Sequence, residues 1–292
     1  MLLILYFVNI FVQSALIVGN FTVDEITIGN CRYSCIGGPP SYAGLFLSTY
    51  RIRLTVVGCF GHDTELIIDS LRYRGTNVIQ ACNGCQATSR FRIIGRKKRS
   101  ISIIDTGCKI KYVPEGNYDY AILNGVCGEI DIDQMYLVRK MSKFVYLDPQ
   151  GMLRKRKRGK VELSAASEFI EFMKTVDAIK VNEEELEIIA GTKDPREAYR
   201  ALGMGSRMIF VGDGIIMQIE KNRVFGLKYS PVRVYDGIGM GDLFGAGYVL
   251  GNVISDDRMG LAMGHAAATA KPMERGLLKV PHWMEIIDRA RT

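Results

Sequence analysis

The chain has 292 residues, 48% of them hydrophobic and 24% charged. That length and balance allow a sizeable buried core without disulfide staples, and they exclude a disordered chain, a collagen and a multi-span membrane protein. Lysine and arginine total 38 against 31 acids, a net charge of +7 at pH 7, which favours anionic partners such as phosphates or nucleotides without selecting among them.

Residues 1–23 carry no charge, and Met1–Val12 is almost entirely apolar. No Lys or Arg precedes this run, and Asn9, Gln13, Ser14 and Asn20 interrupt it. Residues 1–14 therefore read as an apolar extension, such as a misplaced start would add, ahead of a domain spanning 15–292; a signal peptide or membrane anchor is the alternative. Ala15–Asp24 reads as the first strand of that domain.

Short apolar runs bounded by turn residues follow along the chain. Leu16–Gly19, Leu54–Gly58, Tyr120–Asn124, Phe144–Leu147, Ala178–Val181 and Met208–Val211 have the character of strands. Helical patterns lie between several of them: Thr64–Arg74 puts Leu66, Ile67 and Leu71 on one side, and Ser164–Lys174 does so with Ala165, Phe169 and Phe172. This alternation predicts an α/β fold with a mainly parallel sheet. Glu25–Cys35 alternates instead and runs into Gly-Gly-Pro-Pro, and Arg90–Asp105 reads as a hairpin turning near Gly95–Lys98. Together these predict a small β-lid near 25–36 and 90–105, on one domain without linker or repeat.

Seven cysteines, at 31, 35, 59, 82, 85, 108 and 127, are an odd number in a chain that is not small. They are expected to be reduced thiols of a cytoplasmic protein. Cys82-Asn-Gly-Cys85 is a single CxxC, and His62, His265 and His282 do not complete a zinc spacing. Plain loop cysteines are the expected reading, with zinc or a redox pair as alternatives. The basic runs Arg96–Arg99 and Arg154–Lys160 contain no interleaved aromatics. They are expected to be solvated loops rather than a nucleic-acid face, and neither nucleic acid nor membrane is expected as a partner.

Two stretches carry chemistry. Val181-Asn-Glu-Glu-Glu-Leu-Glu187 follows a strand. It is either the acidic first turn of a helix, where acids are favourable, or a Mg²⁺ site serving a nucleotide. In Tyr235-Asp-Gly-Ile-Gly-Met-Gly-Asp-Leu-Phe-Gly-Ala-Gly-Tyr248, Gly237, Gly239 and Gly241 alternate between an apparent strand, Val232–Tyr235, and an apolar helix, Leu243–Ile254. Such a helix start turns backbone N–H groups toward one point and holds an anion such as a phosphoryl group. Asp242 in the first turn is placed to take a proton from an attacking hydroxyl. A Gly-rich helix start with a capping Asp is the plainer reading. A dinucleotide loop belongs on the first strand–helix turn, not near the C-terminus, and no Walker A motif occurs in the chain.

Asp236-Gly-Ile-Gly-Met-Gly-Asp242 resembles the DTxGAGD signature of the ribokinase-like (PfkB) carbohydrate kinases, and Asn182-Glu-Glu-Glu185 resembles their NxxE motif. The resemblance extends through Gly19-Asn20 to Asp24, Gly37-Gly38, Gly58–Asp63, Asp148-Pro149 and the Ala-rich Ala266–Ala268. It implies a three-layer α/β/α fold with a β-lid that often pairs across a homodimer. It also implies transfer of the γ-phosphate of ATP, with Mg²⁺, to a hydroxyl of a small sugar, polyol or nucleoside. Asp242 would be the catalytic base, and the Gly239, Met240 and Gly241 amides would form the anion hole. Asn20, Asp24, Gly37, Gly38 and Ser41 would hold the acceptor. Asn182, Gly212, Gly214, Asp236 and Gly237 would serve the nucleotide, and Glu185 the magnesium through water. Three departures stand out: Gly237 and Met240 replace the usual Thr and Ala, the TxGxxG turn becomes Phe210-Val-Gly-Asp-Gly-Ile215, and Pro39-Pro-Ser-Tyr42 follows the glycine pair. The last, with Asp148-Pro-Gln-Gly151, resembles an archaeal-type branch related to inositol kinases. An inactive ligand-binding protein on the same scaffold is the alternative.

Overall fold

The innermost strand, β1 (Ser14–Val18), is fully buried, and its side chains divide between two faces. Ala15 and Ile17 join one apolar cluster and Leu16 and Val18 the other, as the two-residue period of a strand requires. The computed structural model describes residues 13–95, 99–229, 236–270, 285, 286 and 289. The expected extension lies mostly outside this range, as do Val232–Tyr235 and Arg96–Lys98. Residue 14 is already part of β1, and Gln13 accepts a backbone bond from Arg53 at 3.1 Å, so the sheet begins slightly earlier than expected. The strand expected over Ala15–Asp24 ends at Val18, with residues 22–24 in a separate strand of a second sheet.

The chain continues through a hairpin, β2 (Thr22–Ile28) and β3 (Cys31–Gly37), then β4 (Arg53–Gly58), β5 (Asn77–Gln80), β6 (Ser89–Ile94), β7 (Ser100–Asp105), β8 (Tyr118–Asn124) and β9 (Ser142–Asp148). After these come β10 (Arg154–Lys157), β11 (Lys160–Leu163), β12 (Ala178–Val181), β13 (Arg207–Gly212), β14 (Ile215–Ile219) and β15 (Val224–Lys228). Among the described residues they form two sheets. The larger has the order β15-β14-β13-β12-β9-β8-β1-β4-β5. It is parallel from β13 to β5, and β14 and β15 are added as antiparallel hairpins. Helices Pro39–Leu47, Met240–Ile254 and Asp257–Ala270 pack in the cluster on one face. Helices Ile132–Met141, Ser167–Met173, Glu183–Ala190 and Pro195–Ala201 pack on the other. The result is the expected three-layer α/β/α architecture. No helix among the described residues is long and apolar enough to cross a membrane.

The second sheet is the lid, in the order β10-β11-β7-β6-β2-β3. It exceeds the expected hairpins because the basic run folds into it. Arg154–Lys160 is solvated as expected, with residues 155–158 and Lys160 exposed, but it is part of a hairpin and not a loop: β10 pairs with β11, and Lys160 pairs with Ser102 of β7. Along β2, Thr22, Asp24, Ile26 and Ile28 alternate inward and are buried. This alternation takes a carboxylate into the interior alongside two isoleucines.

The cysteines also depart from expectation. Cys85 and Cys108 are joined as a disulfide, with the Cys82 sulfur close by. The cause is tertiary: the exits of β5 and β7 converge, although 23 residues separate the two positions in sequence.

Candidate active site

The C-terminal ends of the parallel strands point to one cavity of about 310 Å³ under the lid, the usual place for ligands in such sheets. Asp24 and Gly38 line it from the lid side, with Asn124 from the end of β8, Asp148 from the end of β9 and Lys180 from β12. Asn182, Glu184, Gly237, Gly239, Gly241 and Asp242 also line it, and Arg99 and Arg154 add positive charge.

The helix Met240–Ile254 starts at the cavity with Gly239 in the left-handed conformation, φ 77°. A side chain there would also meet Tyr42, since a Cβ would lie 2.5 Å from its ring. Glycine is therefore dictated twice over, by backbone and by space. The first-turn amides have no partner within the helix, and they carry its partial positive charge. Asp242 stands in this turn, and Asn124 Nδ2 donates to its Oδ1 at 2.8 Å. Burial, with the charge of Asp148 adding, pushes the Asp242 carboxyl up to about 6, against the opposing effects of Lys180 and Asn124. Asp24 is pushed up to about 7, chiefly by burial, with smaller contributions from Asp242 and Asp236.

Lys180 Nζ donates to Asp148 Oδ2 at 2.6 Å, with both groups almost wholly buried. Burial would lower the lysine, but Asp148 and Glu185 outweigh it and hold the ammonium charged well above its ordinary range. A single charge in the otherwise apolar Ala178–Val181 was the sequence signal for this residue. Asn124 carried no such signal beyond ending a strand.

Not every expected residue reaches the cavity wall. Asn20 is fully buried behind it, accepting from Cys59 N at 2.8 Å and donating to Cys108 O at 2.7 Å. Ser41 Oγ is spent on Gly37 O at 2.6 Å, and neither residue lines the cavity. Asp236 accepts from Tyr33 of the lid at 2.7 Å and from Ile238 N at 3.1 Å, tying the signature loop to β3. Met240 is also off the wall, and Gly212 and Gly214 bracket the β13–β14 turn away from the cavity. Asn182 and Glu185 form a reciprocal capping box, each side chain bonded to the other's amide at 2.9 Å, so the plain helix-start reading describes their hydrogen bonds. Glu185 is 3% exposed and is pushed up to about 7 by burial, with Lys180 opposing. It borders an adjoining cavity, together with Asn182, Glu184 and Arg154.

No protein-family model matches the chain, and no curated protein matches it in sequence. Solved structures match its fold over nearly its whole length. A pyrophosphate-dependent kinase in the ribokinase family, complexed with a pyrophosphate analogue and myo-inositol, has a TM-score of 0.79 at 18% identity, covering 94% of this chain and 99% of that one. An Arabidopsis thaliana ribokinase complexed with ribose and ATP has a TM-score of 0.70 at 18% identity, covering 96% and 99%. A Vibrio cholerae fructokinase in a form bound to fructose, ADP and calcium ion has a TM-score of 0.71 at 15% identity, covering 95% and 99%. The chain has the ribokinase-like fold that its motifs resemble.

Proposed function

We propose that the chain is a phosphotransferase that moves a phosphoryl group onto a hydroxyl of a small sugar or polyol, with Asp242 as the base and ATP as the donor. One observation carries the reading: a half-buried carboxylate, Asp242, in the first turn of a helix, facing a cavity that also holds Asp24 and three cations. A carboxylate is favourable at an empty helix start, but beside a bound phosphoryl anion it is repelled, and taking the proton of the attacking hydroxyl relieves that repulsion. The acceptor would lie against Asp24 and Gly38. Its hydroxyl would pass its proton to Asp242 as oxygen attacks the γ-phosphorus and the bond to the β-phosphate oxygen breaks to release ADP, while the Gly239, Gly241 and Asp242 amides take up the charge that develops on the phosphoryl oxygens. Arg99, Arg154 and Lys180 would offset the remaining donor charge.

The oxygen-rich set of Asn182, Glu184 and Glu185 suits a hard cation. Magnesium bound there through water would supply charge neutralisation to the donor phosphates.

Pyrophosphate is a second donor reading. The cavity is lined by three cations, Gly212 and Gly214 lie away from it, and one of the similar structures is a pyrophosphate-dependent kinase.

The test is phosphorylated-product formation from ATP and from pyrophosphate, each with a panel of myo-inositol, ribose, fructose, adenosine and cytidine. Turnover on one acceptor, reduced roughly 10²–10⁴-fold in Asp242→Asn with the fold intact, is expected. Activity surviving that substitution within a few-fold would remove Asp242 as base. Transfer to a nucleoside alone would replace the polyol assignment, and ligand binding without transfer would mark an inactive scaffold.

A further inference from the structure

Four cysteines from three separate stretches meet beyond the ends of β4 and β5. Cys59 follows β4, Cys82 and Cys85 follow β5, and Cys108 follows β7. The sulfurs of Cys82, Cys85 and Cys108 lie within 4.8 Å of one another. The Cys59 thiol shares a hydrogen bond with Cys82 and donates to Lys109 O at 3.5 Å. Cys59, Cys82 and Cys108 are buried, and Cys85 is half-buried. Gly84, at φ 70°, turns the CxxC loop. The backbone around the cluster is held by Lys111 N to Ala81 O at 2.8 Å and by the two Asn20 bonds to Cys59 and Cys108. A CxxC alone has two ligands; here the fold supplies the other two.

We propose that this cluster is a redox-gated thiolate metal site that, when reduced, binds one zinc-class ion through Cys59, Cys82, Cys85 and Cys108. The sulfurs of Cys82, Cys85 and Cys108 are three donors in one place, and Cys59, hydrogen-bonded to Cys82, would complete the donor set of a closed tetrahedral site. The Cys85–Cys108 disulfide is the oxidised form. A dithiol reductant of the thioredoxin class passes two electrons to it: the protein S–S bond breaks, the reductant closes its own disulfide, and its two protons go to the Cys85 and Cys108 sulfurs. Zn²⁺ then binds four thiolates with release of four protons. The bound ion would clamp the exits of β4, β5 and β7 to Asn20, beneath the candidate active site.

The test uses the full chain, isolated anaerobically with a dithiol reductant and zinc, then desalted. Metal content is measured by elemental analysis, and the cobalt-exchanged protein by visible absorption. About one zinc per chain, a tetrahedral thiolate–cobalt spectrum, and loss of both in Cys82→Ser and Cys59→Ser are expected, with Cys31→Ser, an exposed thiol outside the cluster, unchanged. If the variants misfold, the wild type decides: a mercurial should release zinc in step with titration of four thiols. A reduced chain that holds no zinc, zinc retained after those thiols are blocked, or a Cys85–Cys108 disulfide that persists in excess reductant would each overturn the proposal.

Discussion

Asp242 and Asp24 are carboxylates set by burial rather than by pairing. For Asp242 the consequence is kinetic. A base must be unprotonated, and its carboxyl is pushed up to about 6. The transfer rate is therefore expected to fall about tenfold per pH unit below about pH 6 and to level off above it, as read from kcat against pH with saturating substrates. For Asp24 the consequence is thermodynamic. Its folded value of about 7 lies above the ~4 of an unfolded carboxylate. The neutral form suits the fold, so its stability contribution is complete below about pH 4 and is lost as pH rises toward 7. Asp24→Asn should leave stability unchanged near pH 4 and raise it near pH 8, by roughly 2–4 kcal/mol, in urea titrations of the ligand-free chain. No gain at the higher pH would mean that the carboxylate is solvated.

The helix Met240–Ile254 depends on how it begins. Gly239 holds a left-handed conformation against the Tyr42 ring, so Gly239→Ala combines backbone strain with a steric clash. A loss of roughly 2–4 kcal/mol is expected, together with lower kcat from displaced first-turn amides. Chemical denaturation and steady-state rates check the two effects separately; an unchanged midpoint would show that Tyr42 simply moves aside. Glu183–Ala190 makes the contrasting point. Its acidic start was legible in sequence as either the first turn of a helix or a metal site, and the structure adds a capping box between Asn182 and Glu185 that the sequence reading did not include. The strand Ala178–Val181 was read at its observed bounds, yet what its lysine does depends on Asp148, 32 positions away. Arg154–Lys160 is solvated as its charge density predicts, but its place in the lid sheet, paired with β7, depends on what lies alongside.

At the scale of the molecule, the large sheet separates two apolar layers. Phe46 is buried in one and Phe172 in the other, with the sheet between them. Phe46→Leu and Phe172→Leu should each lose roughly 1–2 kcal/mol, and the double variant should lose their sum, because sites this far apart share no neighbours. A cycle energy well outside ~0.5 kcal/mol would show that strain crosses the sheet. The amino-acid order by itself determined the α/β alternation, the lid hairpin within Arg90–Asp105 and the Gly-rich helix start carrying Asp242, because side-chain periodicity and glycine placement act over a few residues. Only the tertiary structure decided that Asn20 is buried behind the cavity, that Lys180 pairs with Asp148, and that four cysteines meet. Those contacts join residues far apart in sequence, and strand order and packing, which no local pattern encodes, bring them together.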